Sequence, residues 1–329
     1  MTEPLADPAR PGGGEAATQA FLALEAAVSS VVAANQDTIR LSVACVAAGG
    51  HLLVEDHPGL GKTTLAKALA AAIGLAFRRL QCTADLLPLD VTGATVLGPD
   101  GGAPVWRPGP VFTNVLMADE LNRASPRAQS ALLEAMEEHQ VTVDGTTREL
   151  PRPFFVLATQ NPFDAAGTSP LPHGQRDRFL LSISLGYPTP AQMDTLLSGE
   201  DPAQVVRSLA PAVGPAEFDD LLGAVGAVHV SGALRGYVIE LVEASRRHPA
   251  VAVGASPRAA RALVQAAKAM AVADGRTFLS PDDIQGVARA ALAHRLLLSG
   301  GAKVTGVEAD GLVEELVQSV PVPLWGGPD

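Results

Sequence analysis

The sequence predicts an α/β protein: a parallel sheet of five strands, covered by helices as an αβα sandwich, followed by a smaller all-helical domain. Two observations predict this fold. Up to residue 187, short apolar runs alternate with segments of helical periodicity, which is typical of β–α–β units. After residue 187, apolar residues recur at helical spacing in almost every segment. The sheet is therefore expected in the first part of the chain only.

Composition and charge exclude several classes of protein. The 329 residues suffice for about two domains. The 47% of hydrophobic and 18% of charged residues are typical of a globular chain rather than a disordered one. A net charge of −11 disfavours general attraction to nucleic acids. The two cysteines, Cys45 and Cys82, stand far apart, which excludes a disulfide scaffold and a zinc module.

The start of the chain has no basic segment followed by an apolar run, and no apolar stretch reaches the about 18 residues of a membrane span. We therefore expect no integral membrane segment and a cytoplasmic protein. Residues 1–16, rich in proline and glycine, are predicted to form a mobile tail. Helical periodicity then extends from 17 to 48, where two glycines end it.

The first domain is predicted to span residues 17–187. Its strands are expected at 51–55, 77–82, 115–118, 154–159 and 180–185, with helices at 62–73 and 127–139. Residues 85–110, rich in glycine and proline, are interpreted as an insertion. Residues 140–150 alternate around Asp144-Gly145, which predicts a β-hairpin.

The helical domain is predicted to span residues 188–320, and residues 321–329 are predicted to be a C-terminal tail. Its helices are expected at 190–198, 203–209, 216–227, 233–247, 257–273, 281–297 and 308–319.

The segment from Asp56 to Thr64, DHPGLGKTT, predicts a phosphate-binding loop between a strand and a helix. Small residues let successive backbone N–H groups point at phosphates, Lys62 can reach the β- and γ-phosphates, and the Thr63 hydroxyl can bind Mg²⁺. Asp56 stands where the strict pattern has glycine. The alternative is a glycine-rich turn with a solvated lysine. The predicted nucleotide contacts are Pro58, Gly59, Leu60, Gly61, Lys62, Thr63 and Thr64.

Acidic and amide side chains follow two further predicted strands. Asp119 ends a buried run and is expected to hold the Mg²⁺ shell through water, while Glu120 can act as general base toward water. The alternative is a pair of acids in a helix N-terminal turn. Asn161 follows the strand at 154–159, and a position beside the Asp119 strand would bring its amide to the γ-phosphate. Asn-Pro is also a common start of a turn.

Five stretches of the chain resemble the MoxR family of AAA+ ATPases over about residues 18–297: LLPLDVTG, RPGPVFTNVLMADELNRASPRAQSALLEAMEEHQVTVDG, FFVLATQNP, PLPHGQRDRFL and GASPRA. The resemblance implies an AAA+ core with a helical lid, an insertion in helix 2 at 85–110, and a hairpin before sensor 1 at 140–150. It implies that Lys62 and Thr63 belong to Walker A, Asp119 and Glu120 to Walker B, and that Asn161 is sensor 1.

Two arginines receive roles from the same resemblance. Arg178 matches the arginine finger that acts on the ATP of a neighbouring subunit, and Arg258 matches sensor 2 on the lid. Ser256 and Pro257 suit the cap and first position of a helix that would carry Arg258. A guanidinium suits both roles, because its donors spread over phosphate oxygens.

Alternatives to these roles stay open. Arg176 is a second candidate for the finger, and Arg123 could also face a neighbour or form a salt bridge on its helix. Arg178 could instead pair with Asp177 or another nearby acid, and Arg258 could be a solvated arginine at a helix start. The segment 97–107 is long compared with the family, and its Trp106 is expected to pack beneath the insertion.

The resemblance implies an ATP- and Mg²⁺-dependent motor, assembled as a homo-oligomeric ring, expected to be a hexamer. Such motors remodel partner proteins in a chaperone-like way or assist their metal-cofactor assembly, and their usual partners carry von Willebrand factor A domains. One alternative is an AAA+ nucleic-acid motor or magnesium-chelatase-like subunit. The predicted hairpin carries one acid and one arginine near its turn, so no nucleic-acid partner is expected. The other alternative is a nucleotide-gated scaffold with little turnover, which the acids, Asn161 and Arg178 disfavour.

Overall fold

A computed structural model of the chain describes residues 13–97, 103–161, 169, 171–198 and 202–323. Its strands are β1 (Leu52–Glu55), β2 (Phe77–Gln81), β3 (Gly93–Leu97), β4 (Pro104–Pro108), β5 (Val115–Asp119), β6 (Gln140–Val143), β7 (Thr146–Glu149), β8 (Phe155–Gln160), β9 (Leu181–Ile183), β10 (Val251–Val253) and β11 (Leu297–Leu298).

Helices α1 (Gly13–Ser29), α2 (Gln36–Ala47), α3 (Lys62–Ile73), α4 (Pro88–Thr92), α5 (Pro126–Glu138) and α6 (His173–Arg176) accompany the sheet. The later helices are α7 (Pro190–Leu197), α8 (Pro202–Ser208), α9 (Pro215–Ala227), α10 (Gly232–Arg247), α11 (Pro257–Ala273), α12 (Pro281–Leu292), α13 (Gly300–Val304) and α14 (Ala309–Ser319). None of the helices in the described ranges is both long enough and apolar enough to cross a membrane.

The central sheet has the strand order β2-β5-β8-β1-β9, and each neighbouring pair is parallel. The predicted five-stranded parallel sheet is therefore confirmed, and each predicted strand lies within two residues of an observed one. All residues of β5 and β8 are buried, as expected for central strands with both faces covered. Because the strands are parallel, β1, β5 and β8 all end at one edge of the sheet.

Alternate residues of each strand belong to two different cores. Leu52 of β1 and Met117 of β5 pack in a large core with α1, α2, α3 and the later helices. Leu53 and Leu116, one position away, pack in a smaller core with the apolar face of α5. This alternation follows from the two-residue period of a strand and produces the predicted αβα sandwich.

Helix α1 begins at Gly13, so residues 13–16 are helical and the predicted tail boundary at residue 16 is wrong. Residues 1–12 lie outside the described residues. The helix is held because Phe21 is buried in the large core and the Thr18 hydroxyl donates to the carbonyl of Val272 at 2.7 Å. The helical pattern at 17–48 is interrupted before α2, where Asn35 forms the N-cap.

The helical domain follows the prediction closely at its helices but also contains a two-stranded antiparallel sheet of β10 and β11. The helix predicted at 281–297 ends at Leu292, and a 3-10 turn (Ala293–Arg295) leads into β11. The other predicted helices begin and end within one residue of observed ones. Helical periodicity could not reveal these strands, because each has only two or three residues. The division of the chain at residues 187 and 188 stays a prediction.

Both predicted additions to the core are present as hairpins. The insertion contains α4 and the hairpin of β3 and β4, although its residues 98–102 lie outside the described ranges. The hairpin of β6 and β7 turns at Asp144 and Gly145, which both have positive φ. The two hairpins touch: Arg148 lies 4.0 Å from the ring centroid of Trp106, which also packs edge-on against Phe112. Trp106 therefore packs against residues outside the insertion, Arg148 of the second hairpin and Phe112, whereas packing beneath the insertion was expected.

We predict that α1 stabilises the whole fold. Phe21→Ala should lower the free energy of unfolding by about 3–5 kcal/mol, because the ring is fully buried. Leu22→Ala on the same helix is the control, since Leu22 is 39% exposed and should change the value by at most about 1 kcal/mol. Urea unfolding measures both. Equal unfolding midpoints for the two variants would contradict the prediction.

Candidate nucleotide-binding site

The loop between β1 and α3 has the backbone that phosphate binding requires. Gly59 and Gly61 have φ values of 84° and 89°, a region that favours glycine. A Cβ atom at either glycine would meet nothing within 4 Å, so the space beside the loop is open. Gly61 caps α3 without a side-chain hydrogen bond, which leaves the first N–H groups of the helix available to an anion. The loop therefore fits a phosphate group.

Asp56, the departure from the strict glycine pattern, anchors this loop. Its buried carboxylate accepts hydrogen bonds from the Ser184 hydroxyl at 2.9 Å and the N–H groups of Leu185 and Gly186 at 2.7 and 3.0 Å. The other oxygen accepts from His57 N at 2.9 Å. Asp56 thus joins the start of the loop to the residues after β9, a role that no sequence pattern indicated.

Lys62 lies over the same loop. Its ammonium donates to the carbonyls of Asp56 at 2.5 Å and His57 at 3.1 Å. Partial burial lowers the pKa of Lys62, while the carboxylates of Asp56, Asp119 and Glu120 oppose that shift. A lysine held beside open backbone N–H groups can bind a phosphate group. The three nearby acids can attract a metal ion bound to that phosphate.

Thr159 of β8 holds the two acids at the end of β5, Asp119 as its last residue and Glu120 directly after it. Its hydroxyl donates to Asp119 Oδ1 at 2.6 Å and accepts from the N–H of Glu120 at 2.8 Å. Glu120 has φ 55° and ψ 50°, a left-handed conformation that is rare outside glycine. Such a conformation is typical of functional positions that neighbours hold in place. Thr159 is the only polar residue in the apolar run FFVLAT, and this contrast could have revealed it.

Both acids have cationic partners within the chain. Arg79 of β2 donates to Asp119 Oδ2 through Nη2 at 2.5 Å and Nε at 3.1 Å. Arg123 pairs with Glu120 at 3.0 Å, and Gln81 donates to the same oxygen of Glu120 at 3.3 Å. Arg123 thus forms a salt bridge within its own chain, the alternative to facing a neighbouring subunit.

Asn161 follows β8 directly and lies at the same edge of the sheet as Asp119, because β8 pairs with β5. The strand position on which the proposed role of Asn161 depends is therefore observed. The backbone carbonyl of Asn161 accepts a hydrogen bond from Asn122 Nδ2 at 3.3 Å.

Arg176, the second candidate for the finger, donates to both carboxylate oxygens of Glu55 at 3.0 and 3.1 Å within its own chain.

Arg178 and Arg258 converge on one carboxylate, that of Glu137 near the end of α5. Arg178 Nε lies 2.8 Å from Glu137 Oε2, and Arg258 contacts Oε1. The hydrogen bond from Arg178 lowers the pKa of Glu137, and the charge of Arg258 adds to the shift. Within its own chain, Arg178 therefore pairs with Glu137 and not with Asp177.

The arginine pair and the loop lie at opposite edges of the sheet. Glu137, Arg178 and Arg258 line a cleft with His51, which directly precedes β1. The loop instead follows the end of β1, four residues or about 13 Å further along the strand. The chain therefore brings Lys62 and the acids together, but it brings neither arginine to them.

His51 fixes the end of α5 to the sheet. Its Nδ1 accepts from the N–H of Val156 at 3.0 Å, so Nε2 carries the proton and donates to the carbonyl of Met136 at 3.0 Å. Burial lowers the pKa of His51 to about 4, which keeps the ring neutral near pH 7. This histidine thereby positions the residues beside Glu137, a contact that no sequence pattern indicated.

Two family models match parts of this chain. The model of the ATPase family associated with various cellular activities (AAA) matches residues 51–181, which include the loop, both acids and Arg178. The AAA lid domain model matches residues 243–316, which include Arg258.

Relatives cover nearly the whole chain. Protein YeaC of Bacillus subtilis is 43% identical over 90% of this chain and 93% of its own. Chaperone MoxR1 of Mycobacterium tuberculosis is 35% identical over 96% and 86%. A crystal structure from Cytophaga hutchinsonii, assigned as an ATPase, superposes with a TM-score of 0.86 at 35% identity and covers 95% of this chain and 97% of that one. This chain therefore belongs to the MoxR family of AAA+ ATPases.

Proposed function

We propose that this ATPase hydrolyses ATP at sites shared between neighbouring copies in a ring, expected to be a hexamer. In each site one chain supplies the loop, the acids and Asn161, and its neighbour supplies Arg178 and Arg258. One observation carries the proposal: both arginines pair with Glu137, at the edge of the sheet opposite the loop of their own chain. Groups at opposite edges of one sheet can meet only if a second copy is placed beside the first.

Nucleotide binding is assigned to the loop and the start of α3. Backbone N–H groups and Lys62 would hold the phosphates of ATP, and Gly59 and Gly61 would allow close approach. The Thr63 hydroxyl and the Asp119 carboxylate, the latter through water, fit Mg²⁺ because both are oxygen ligands. When bound, Mg²⁺ neutralises charge on the β- and γ-phosphates. The remaining proposed contacts are Pro58, Leu60 and Thr64.

Glu120 is the proposed general base, since its carboxylate follows the Mg²⁺-binding acid directly and Thr159 holds its backbone. It would accept a proton from the attacking water, and the Asn161 amide would orient that water. The guanidinium groups of Arg178 and Arg258 would stabilise negative charge that develops on the transferred phosphoryl oxygens. They would exchange the Glu137 carboxylate for these oxygens, which carry the same sign of charge.

The work driven by hydrolysis is proposed to be chaperone-like remodelling or metal-cofactor assembly of partner proteins in the cytoplasm. Kinship with a protein named chaperone MoxR1 supports the first part. Partners with von Willebrand factor A domains are proposed from the resemblance of the motifs to the family. A nucleic-acid partner is not proposed, because the charges of Asp144 and Arg148 near the hairpin turn nearly cancel and the net charge of the chain is −11.

A first prediction concerns the general base. Glu120→Gln should bind ATP with Mg²⁺ normally and hydrolyse it at least ~10²-fold more slowly, because the amide cannot accept the proton. Lys62→Ala should lose binding. Glu134→Gln, an exposed change on α5, is the matched control and should keep normal turnover. Phosphate release and equilibrium nucleotide binding measure these effects, and normal turnover in Glu120→Gln would remove the assignment.

A second prediction concerns the shared site. Arg178→Ala and Arg258→Ala should each bind ATP but hydrolyse it poorly. Mixing either with Glu120→Gln should restore part of the activity, because some interfaces then join an intact Glu120 to intact arginines. Arg247→Ala, an exposed arginine of α10 paired with Glu240, serves as control and should stay active alone. A tag pull-down confirms mixed assembly, and confirmed mixtures without recovery would refute sharing.

A third prediction separates this function from that of a nucleic-acid motor. With a net charge of −11, the protein should bind neither single-stranded nor duplex DNA at physiological salt, and DNA should not raise ATP turnover. Fluorescence anisotropy and phosphate release test the two statements. Binding that weakens with salt and accelerates turnover would favour the motor instead.

A further inference from the structure

We propose that Arg295 is a positioning residue for Arg178, fixing the turn that carries Arg178 to the helix that carries Arg258. The inference rests on the shared site proposed above and adds a residue to it. Arg295 lies in the 3-10 turn after α12, and 2% of its surface is exposed. A buried arginine donates its hydrogen bonds to the groups packed around it. Here those groups belong to the residues next to Arg178.

The guanidinium of Arg295 donates hydrogen bonds to the backbone on both sides of Arg178. Nε pairs with Asp177 Oδ1 at 2.8 Å, Nη2 donates to the Asp177 carbonyl at 3.1 Å, and Nη1 donates to the Leu180 carbonyl at 3.0 Å. Nη2 also contacts the Phe179 carbonyl. The residues before and after Arg178 are thus bound to one rigid, planar group, while the Arg178 side chain remains partly exposed beside Glu137.

The same carboxylate extends this link to Arg258. Asp177 Oδ2 accepts from the Ser256 hydroxyl at 2.8 Å, and Ser256 is the N-cap of α11, whose second residue is Arg258. Two histidines add hydrogen bonds between the same two turns. His173 Nε2 lies 2.6 Å from the Arg295 carbonyl, and His294 Nε2 lies 3.2 Å from the Phe179 carbonyl. Both proposed phosphate-binding arginines are therefore connected to the ion pair of Arg295 and Asp177.

This arrangement suits positioning rather than contact with nucleotide. Burial lowers the pKa of Arg295, and the hydrogen bond and charge of Asp177 oppose that shift, so the group stays charged in its pocket. Lysine cannot reproduce it, because an ammonium is a compact charge without the planar fork that reaches several carbonyls at once. A displacement of about 1 Å in a group that contacts the transition state can cost about 10²-fold in rate.

The first test is therefore Arg295→Lys. We expect unchanged KM for ATP and unchanged nucleotide binding, with kcat lowered about 10- to 100-fold. Arg289→Lys is the matched control: it makes the same change on α12, but Arg289 is exposed and its partner Asp310 lies 3.9 Å away. Loss of nucleotide binding in Arg295→Lys, or normal kcat, would overturn the proposal.

Mixed assemblies distinguish positioning from mere support of the fold. Arg295→Lys with Glu120→Gln should regain activity, because the second variant lends intact arginines to the intact Glu120 of the first. Arg295→Lys with Arg178→Ala should not recover, since both variants lack a competent arginine donor. A residue that only stabilises its own chain would give no recovery in the first mixture.

Two further outcomes separate the inference from its foundation. If Arg178→Ala and Glu120→Gln fail to complement, the shared site itself is wrong. If they complement and Arg295→Lys does not, only the role of Arg295 is wrong. Should circular dichroism show that Arg295→Lys is unfolded, Ser256→Asp carries the same test, because aspartate still caps α11 but repels Asp177. Normal kcat, or failure to complement Glu120→Gln, would then overturn the proposal.

Discussion

All five strands of the central sheet run in one direction, and this constraint determines where the charged groups of the site lie. Both faces of the sheet are buried, so ionised side chains collect at its edges. Lys62, Asp119 and Glu120 lie at or beyond strand ends, whereas Glu137 and the arginines paired with it lie where strands begin. One chain therefore carries the two parts of the proposed shared site at opposite edges of its sheet.

Buried polar side chains hold these two parts by joining elements that are distant in sequence. Asp56 joins the loop to the residues after β9, Thr159 joins β8 to both acids, and His51 joins α5 to β1 and β8. Each bond is worth only about 1 kcal/mol on balance, and more where a charge takes part. Leaving such a partner unsatisfied costs more, so these contacts specify geometry as well as stability.

The sequence was sufficient to predict the sheet, most helices and the loop, because apolar period and glycine spacing are local properties. It also predicted that Asn161 and Asp119 lie at one edge of the sheet, since parallel strands end at the same edge, but it left open whether their strands are neighbours. It could not reveal that Arg178 and Arg258 meet at Glu137, because that contact joins three elements far apart in the chain. The β10–β11 pair and the anchoring roles of Asp56, Thr159 and His51 depend on tertiary neighbours in the same way.

Helix α5 has a consequence for the timing of ATP hydrolysis in the proposed ring. Its first turn is bound to the segment that follows the acids, since Gln129 donates to the carbonyls of Leu121 and Ala124 at 3.1 and 3.2 Å. Its last turn carries Glu137. The 13 residues make a rod about 20 Å long. In the proposed assembly each rod would run from one nucleotide to the arginines that serve the next, so that hydrolysis in consecutive subunits would be mechanically linked through a single helix.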